Sequence, residues 1–98
     1  MSKLLEGSRP DGSKRLLFFC PGCQFYHEVT VEQGTDYKGP VWGWNGDMEK
    51  PTFQPSILCN EGNDRHCHLF VRDGMIEFLG DCRHALRGQT VEMEEAEQ

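Results

Sequence analysis

Cys67-His68-Leu69-Phe70-Val71-Arg72-Asp73-Gly74-Met75-Ile76-Glu77-Phe78-Leu79-Gly80 reads as a β-hairpin. Two alternating runs flank Asp-Gly, the dipeptide that a two-residue type I′ turn selects. That loop length predicts the register: Arg72 opposite Met75, Val71 opposite Ile76, Phe70 opposite Glu77, Leu69 opposite Phe78, His68 opposite Leu79 and Cys67 opposite Gly80. Alternation then places Cys67, Leu69, Val71, Ile76 and Phe78 on a core face, and His68, Phe70, Arg72, Met75 and Glu77 on the other. Cys67 and His68 point opposite ways, so one metal ion would find it hard to take both.

Upstream, Pro51-Thr52-Phe53-Gln54-Pro55-Ser56-Ile57-Leu58-Cys59 is extended, because each proline pushes its predecessor towards β geometry and denies the ladder a donor. It reads as an edge strand or an irregular one. The polar loop Asn60 to His66 joins it to the hairpin, which predicts antiparallel pairing between the strand of Ser56 and the strand of His68. Ser56 sits on a stiff backbone that suits a positioned nucleophile. Spacing alone favours the plainer reading, a serine that ends a strand, since a lone Ser carries no motif.

Earlier in the chain, Leu16 to Cys20 is a short strand stopped by Pro21-Gly22. Phe25 to Val31 alternates, with Phe25, His27, Val29 and Val31 on one face and Tyr26, Glu28 and Thr30 on the other. Val41 to Asp47 carries Trp42 and Trp44 at period two and ends in the turn signal Asn-Gly-Asp. After the hairpin, Asp81 to Gly88 has an N-capping residue and a closing glycine, which predicts a short helical turn, and Gln89 to Met93 predicts a last strand. Residues 1–14 read as a flexible N-terminal arm, 15–93 as a β-rich single domain of antiparallel hairpins around a zinc knuckle, α+β at most, and 94–98 as an acidic disordered tail.

A chain of 98 residues allows one core, and with eleven Gly and five Pro it gains from a staple. Five Cys is an odd number and no apolar signal segment follows Met1, so the expected compartment is the reducing cytoplasm, where close-spaced cysteines serve as metal ligands more often than as disulfides. Nothing reads as a membrane span. The net charge is −6, and four of the acidic residues crowd the tail as Glu92, Glu94, Glu95 and Glu97. No basic stripe interleaved with aromatics appears, which argues against a nucleic-acid partner.

Cys20-Pro-Gly-Cys23 is a tight turn in which two thiolates converge on one point. A redox CxxC would open a long helix within a βαβ unit, and none follows here, so Zn2+ is the expected occupant. Zinc wants four donors in a tetrahedron. Cys67, at the end of the hairpin core face, is the expected third ligand, and a buried free thiol is the alternative. His27 leads for the fourth place and His84 follows it, while His68 is left on the other face for hydrogen bonding or acid–base work.

The runs CPGCQFYH, WGWNGDMEKPTFQPSIL and CHLFVRDGMIEFLGDCRHALRGQTVEM together resemble a family of small phage and prophage proteins often mislabelled ammonia monooxygenase. More distantly they resemble the BubE peptidases of bacterial ubiquitin-like conjugation operons. Carried over residue by residue, that resemblance implies roles for Cys20, Cys23, His27, Ser56, Cys67 and His68. The adjacency of Cys67 and His68 departs from the relatives' spacing. Cys59 and Cys82 stand outside the pattern, and His84 fits the phage group.

The resemblance implies a hydrolase in which Ser56 attacks a peptide carbonyl in the tail of a ubiquitin-like protein. His68 or His84 would act as base, and a structural zinc would hold the fold. A second version gives the chemistry to a zinc with three protein ligands and an open position, leaving Ser56 to orient substrate. The competing non-enzymatic reading is a zinc-stapled module that binds or inhibits a host protein through Trp42, Trp44 and Tyr26.

Overall fold

The computed structural model describes residues 2–59 and 66–96, and among these the chain forms nine strands and no helix. The first sheet is an antiparallel meander of β1 (Leu5–Ser8), β2 (Lys14–Cys20) and β3 (Phe25–Glu32). Next comes a two-stranded ladder of β4 (Gly43–Trp44) and β5 (Phe53–Gln54). The third sheet runs β6 (Ile57–Cys59), β7 (Cys67–Arg72), β8 (Met75–Phe78) and β9 (Thr90–Glu92) in that spatial order. No helix among the described residues is long and apolar enough to cross a membrane.

The β7–β8 hairpin has the register that its Asp73-Gly74 turn predicts, with Leu69 opposite Phe78, Phe70 opposite Glu77, Val71 opposite Ile76 and Arg72 opposite Met75. Asp73 and Gly74 both take positive φ, 49° and 77°, as a type I′ turn requires. β6 pairs antiparallel with β7 as expected, placing Ile57 opposite Leu69, Leu58 opposite His68 and Cys59 opposite Cys67. The proline-rich segment that precedes it breaks at a cis Gln54–Pro55 bond into β5 and β6, and β6 is an edge of its sheet. Of the expected polar loop before the hairpin, residues 60–65 lie outside the described residues.

Two expectations give way. Within the stretch read as a flexible arm, Leu5–Ser8 pair with Lys14–Leu17, and Leu4 is buried. The Gly and Pro that suggested an arm form a hairpin turn instead: Arg9 N donates to Ser13 O, and the Asp11 carboxylate accepts from Ser13, Asp36 and Tyr37 backbone amides. The expected helical turn over Asp81 to Gly88 is also not helical. It is a string of tight turns, because tertiary partners claim the groups a helix would use: Arg83 N donates to His66 O, Gly88 N donates to Phe78 O, and the Asp81 carboxylate accepts from histidines instead of capping.

Leu16, Phe18 and Val29 of the first sheet meet Phe53, Ile57, Leu69, Val71, Ile76 and Phe78 in one core. Phe18 stacks on Phe53 with ring centroids 6.3 Å apart and meets His27 edge-on at 5.7 Å. Each fully buried side chain of this kind contributes about 1.5–3 kcal/mol. The core thereby fixes the end of β2, where Cys20 lies, against the end of β7, where Cys67 lies.

Candidate active site and metal centre

Both sites grow from the alternation of β7. Its inward residues, Cys67, Leu69 and Val71, are fully buried, and its outward residues start with His68. The metal group is on the inner side. Cys20 ends β2, the turn that follows returns Cys23 to it, and Cys23 N donates to Cys20 Sγ at 3.4 Å. Cys20 Sγ lies 4.0 Å from Cys67 Sγ, and Cys67 Sγ lies 3.3 Å from His84 Nε2.

The ligand atoms of Cys20, Cys23, Cys67 and His84 all lie within 4.8 Å of one another, close enough to hold a metal ion. A tetrahedral zinc, with Zn–S of about 2.3 Å and Zn–N of about 2.0–2.1 Å, would separate two sulfurs by about 3.8 Å and a sulfur and a nitrogen by about 3.6 Å. The two separations in the structure lie within about 0.3 Å of those edges, so the donor set is consistent with zinc. Gly22 is part of the cradle, because a Cβ at that position would run into the His84 ring. The Phe78 ring meets the same imidazole edge-on, with centroids 4.6 Å apart.

His84 therefore stands among the cysteines, and nothing places it beside Ser56. His27 stands outside the four-donor group, buried against Phe18. Burial pulls the His27 ring down, but the neighbouring Cys20 and Cys59 thiols outweigh this and raise it to about 10. Cys20 is the acidic thiol of the group, drawn down to about 4 chiefly by its hydrogen bond with Cys67, against burial and with help from His27. The Cys67 thiol is pushed up by the same hydrogen bond and by burial.

On the outer side of the sheet, Ser56 precedes Ile57 and shares the face of Leu58, which is opposite His68. His68 Nε2 lies 3.1 Å from Ser56 Oγ. The other ring nitrogen, Nδ1, lies 3.2 Å from Asp81 Oδ2. A neutral imidazole protonated at Nδ1 would donate to Asp81 and accept the Ser56 hydroxyl proton at Nε2. Asp81 is held below the usual carboxylate range, first by the hydrogen bond from His66 and also by that from His68.

Neighbouring groups pin the two ends of this line. The Cys82 thiol accepts from His68 N at 3.3 Å and donates to His68 O at 3.1 Å, so it clamps the backbone of the histidine from the core side. Leu79 N also donates to His68 O, at 2.9 Å. Trp42 Nε1 donates to Ser56 O at 3.2 Å. Trp44 Nε1 donates to Asp47 O, and Lys14 Nζ lies 5.2 Å from the centroid of that indole, so both tryptophans are engaged inside the domain.

Asp81 is the residue that sequence reasoning assigned a different job, that of a helix cap. A signal was available: with His68 opposite Leu79, two further residues along the same face arrive at Asp81. Cys82 carried no signal beyond being a cysteine.

A Ser–His–Asp array on the outer face of a small all-strand domain, with a Cys3His group beneath it, has the geometry that serine hydrolases use. The chain belongs to the BubE family: the model described as "bacterial ubiquitination-like system serine protease (BubE)" matches residues 2–79. Those residues include Cys20, Cys23, Ser56, Cys67 and His68, and Asp81 and His84 follow immediately after. No curated protein and no solved structure matches the chain.

Proposed function

We propose that this chain is a serine peptidase that cleaves a peptide bond at the C-terminal tail of a ubiquitin-like protein, inside a bacterial cell. The observation that carries the reading is the 3.1 Å contact between Ser56 Oγ and His68 Nε2, continued at 3.2 Å from His68 Nδ1 to Asp81 Oδ2. Ser56 Oγ attacks the carbonyl carbon while its proton passes to His68 Nε2. As the C–N bond breaks, His68 returns that proton to the leaving amine. Water then hydrolyses the ester on Ser56 by the same proton route, and the ionised Asp81 stabilises the imidazolium at each step.

The ubiquitin-like substrate is proposed from the description of the family alone. Cys20, Cys23, Cys67 and His84 would hold zinc, which when bound supplies a tetrahedral cross-link. Four protein donors fill that sphere, so Ser56, and not a metal-bound water, carries the chemistry. The cross-link joins the ends of β2 and β7 to the turn after β8, so the segments bearing His68 and Asp81 are held together.

The test is Ser56→Ala. It should retain metal and fold, abolish cleavage of a ubiquitin-like protein bearing a C-terminal peptide extension, and abolish labelling by a fluorophosphonate probe. Full cleavage by Ser56→Ala eliminates the serine mechanism. Intact labelling by the wild type with no cleavage of any tailed ubiquitin-like protein removes only the substrate assignment.

A further inference from the structure

We infer that His66 is a positioning residue for the Ser56, His68 and Asp81 array, acting through Asp81; the inference rests on the serine mechanism proposed above. The Asp81 side chain is 50% exposed and follows the hairpin on an irregular turn. A carboxylate so placed has water on one side and several rotamers within reach, so the domain must supply whatever holds it still. His68 alone reaches it through one contact of 3.2 Å.

His66 supplies a second and shorter contact. Its Nε2 lies 2.8 Å from Asp81 Oδ2, the same oxygen that faces His68 Nδ1. The ring of His66 is well covered, with 15% side-chain exposure, and its carbonyl is fixed by Arg83 N at 3.0 Å. His66 and His68 are two residues apart, so strand alternation brings them to one face, and Oδ2 sits between them as a shared acceptor. Arg83 is two residues after Asp81, so the backbone bond to His66 and the side-chain bond from it close one loop around the acid.

Those contacts fix the orientation of Asp81. Donation from His66 also leaves Oδ2 as an acceptor only, which selects the Nδ1–H form of His68 and leaves Nε2 open to the Ser56 proton. Misplacing an orienting group by about 1 Å costs on the order of 100-fold in rate.

The experiment measures covalent labelling of Ser56 by a fluorophosphonate on the metal-loaded full chain, resolved into the maximal labelling rate and the half-saturating probe concentration. The Ser56 oxygen forms a bond to phosphorus, fluoride leaves, and the proton passes to His68. His66→Ala should lower the maximal rate about 10- to 100-fold with the half-saturating concentration unchanged. His66→Gln, whose amide N–H reaches where Nε2–H does, should recover most of the rate, whereas the shorter His66→Asn should not.

Combining His66→Ala with Asp81→Asn should give no further loss beyond Asp81→Asn, because His66 works only through Asp81. Wild-type labelling by His66→Ala, equal loss in the Gln and Asn variants, or multiplied losses in the double variant each overturn the inference. Should His66→Ala fail to fold, the Gln and Asn pair decides. Labelling of Ser56→Ala at the wild-type rate would instead strike the serine mechanism itself, whatever the His66 variants do.

Discussion

Cys67 and His68 are consecutive residues that face opposite sides of β7: the Cys67 thiol lies 4.0 Å from the Cys20 thiol in the core, and His68 Nε2 lies 3.1 Å from the Ser56 hydroxyl on the outer face. A single peptide unit therefore joins the metal group to the candidate catalytic line. Rotation or slippage of β7 would displace both together. The Cys82 thiol, bonded to both the amide and the carbonyl of His68, ties that unit to the turn carrying Asp81.

Replacing Asp81 with Asn should leave the fold and metal content intact and lower the rate of peptide cleavage by about 100- to 10,000-fold, with little change in KM. The amide can offer His68 an N–H where the carboxylate offers only acceptors, which favours the wrong tautomer. Steady-state kinetics on a tailed ubiquitin-like protein checks this. A rise confined to KM would assign Asp81 to substrate binding instead.

His84→Ala should lose the metal, and His27→Gln should keep it. The ligand atoms of Cys20, Cys23, Cys67 and His84 converge within 4.8 Å, and the His27 ring is not among them. Structural zinc contributes on the order of 10 kcal/mol in small modules, so loss of a ligand should also cause a large fall in Tm. Elemental analysis of the purified variants, together with the absorption spectrum of the cobalt-substituted chains, separates the two histidines.

Gly22→Ala is expected to weaken metal binding about 10- to 100-fold, since the added methyl group collides with the His84 imidazole and turns it away from the thiolates. A competition titration against a chromogenic chelator measures the change. Unaltered affinity would mean that His84 is free to move without cost.

Acid should erase the stabilising effect of Asp81. Its folded carboxyl is more acidic than the ordinary value of 3.8, mainly through the His66 hydrogen bond, so the unfolded chain takes up the proton first as pH falls. The stabilisation is complete above 3.8 and is lost as pH drops through the lower folded value. Urea unfolding of wild type and Asp81→Asn should show a stability difference that shrinks as pH falls below 3.8. A difference that persists undiminished far below 3.8 would contradict the hydrogen-bonding pattern.

The hairpin of β7 and β8 was legible over its four ladder pairs from Arg72–Met75 to Leu69–Phe78, because Asp73-Gly74 admits few turn geometries and a set turn forces the pairs next to it. The same alternation parted Cys67 from His68 before any coordinates. Pairing of β6 with β7 followed from a short connection, and it brought Ser56 to the face of His68. The CxxC knuckle was equally readable, since close spacing alone makes Cys20 and Cys23 converge.

The roles of Asp81 and His84 were only faintly legible. Asp81 to Gly88 has the local signals of a capped helical turn, and local signals say nothing of the three partners that claim it: His66 and His68 on the acid, the thiols around His84, and Phe78 O on Gly88 N. Likewise, His27 follows the knuckle closely and His84 lies far along the chain, yet it is the His84 ring nitrogen that falls among the thiols, because of where the turn after β8 packs. Strand alternation and turn chemistry act over a few residues and are written along the chain. The fourth donor of the Cys and His group and the acid that faces His68 depend on how separate sheets and the turn after β8 meet, which no pattern along a few residues encodes.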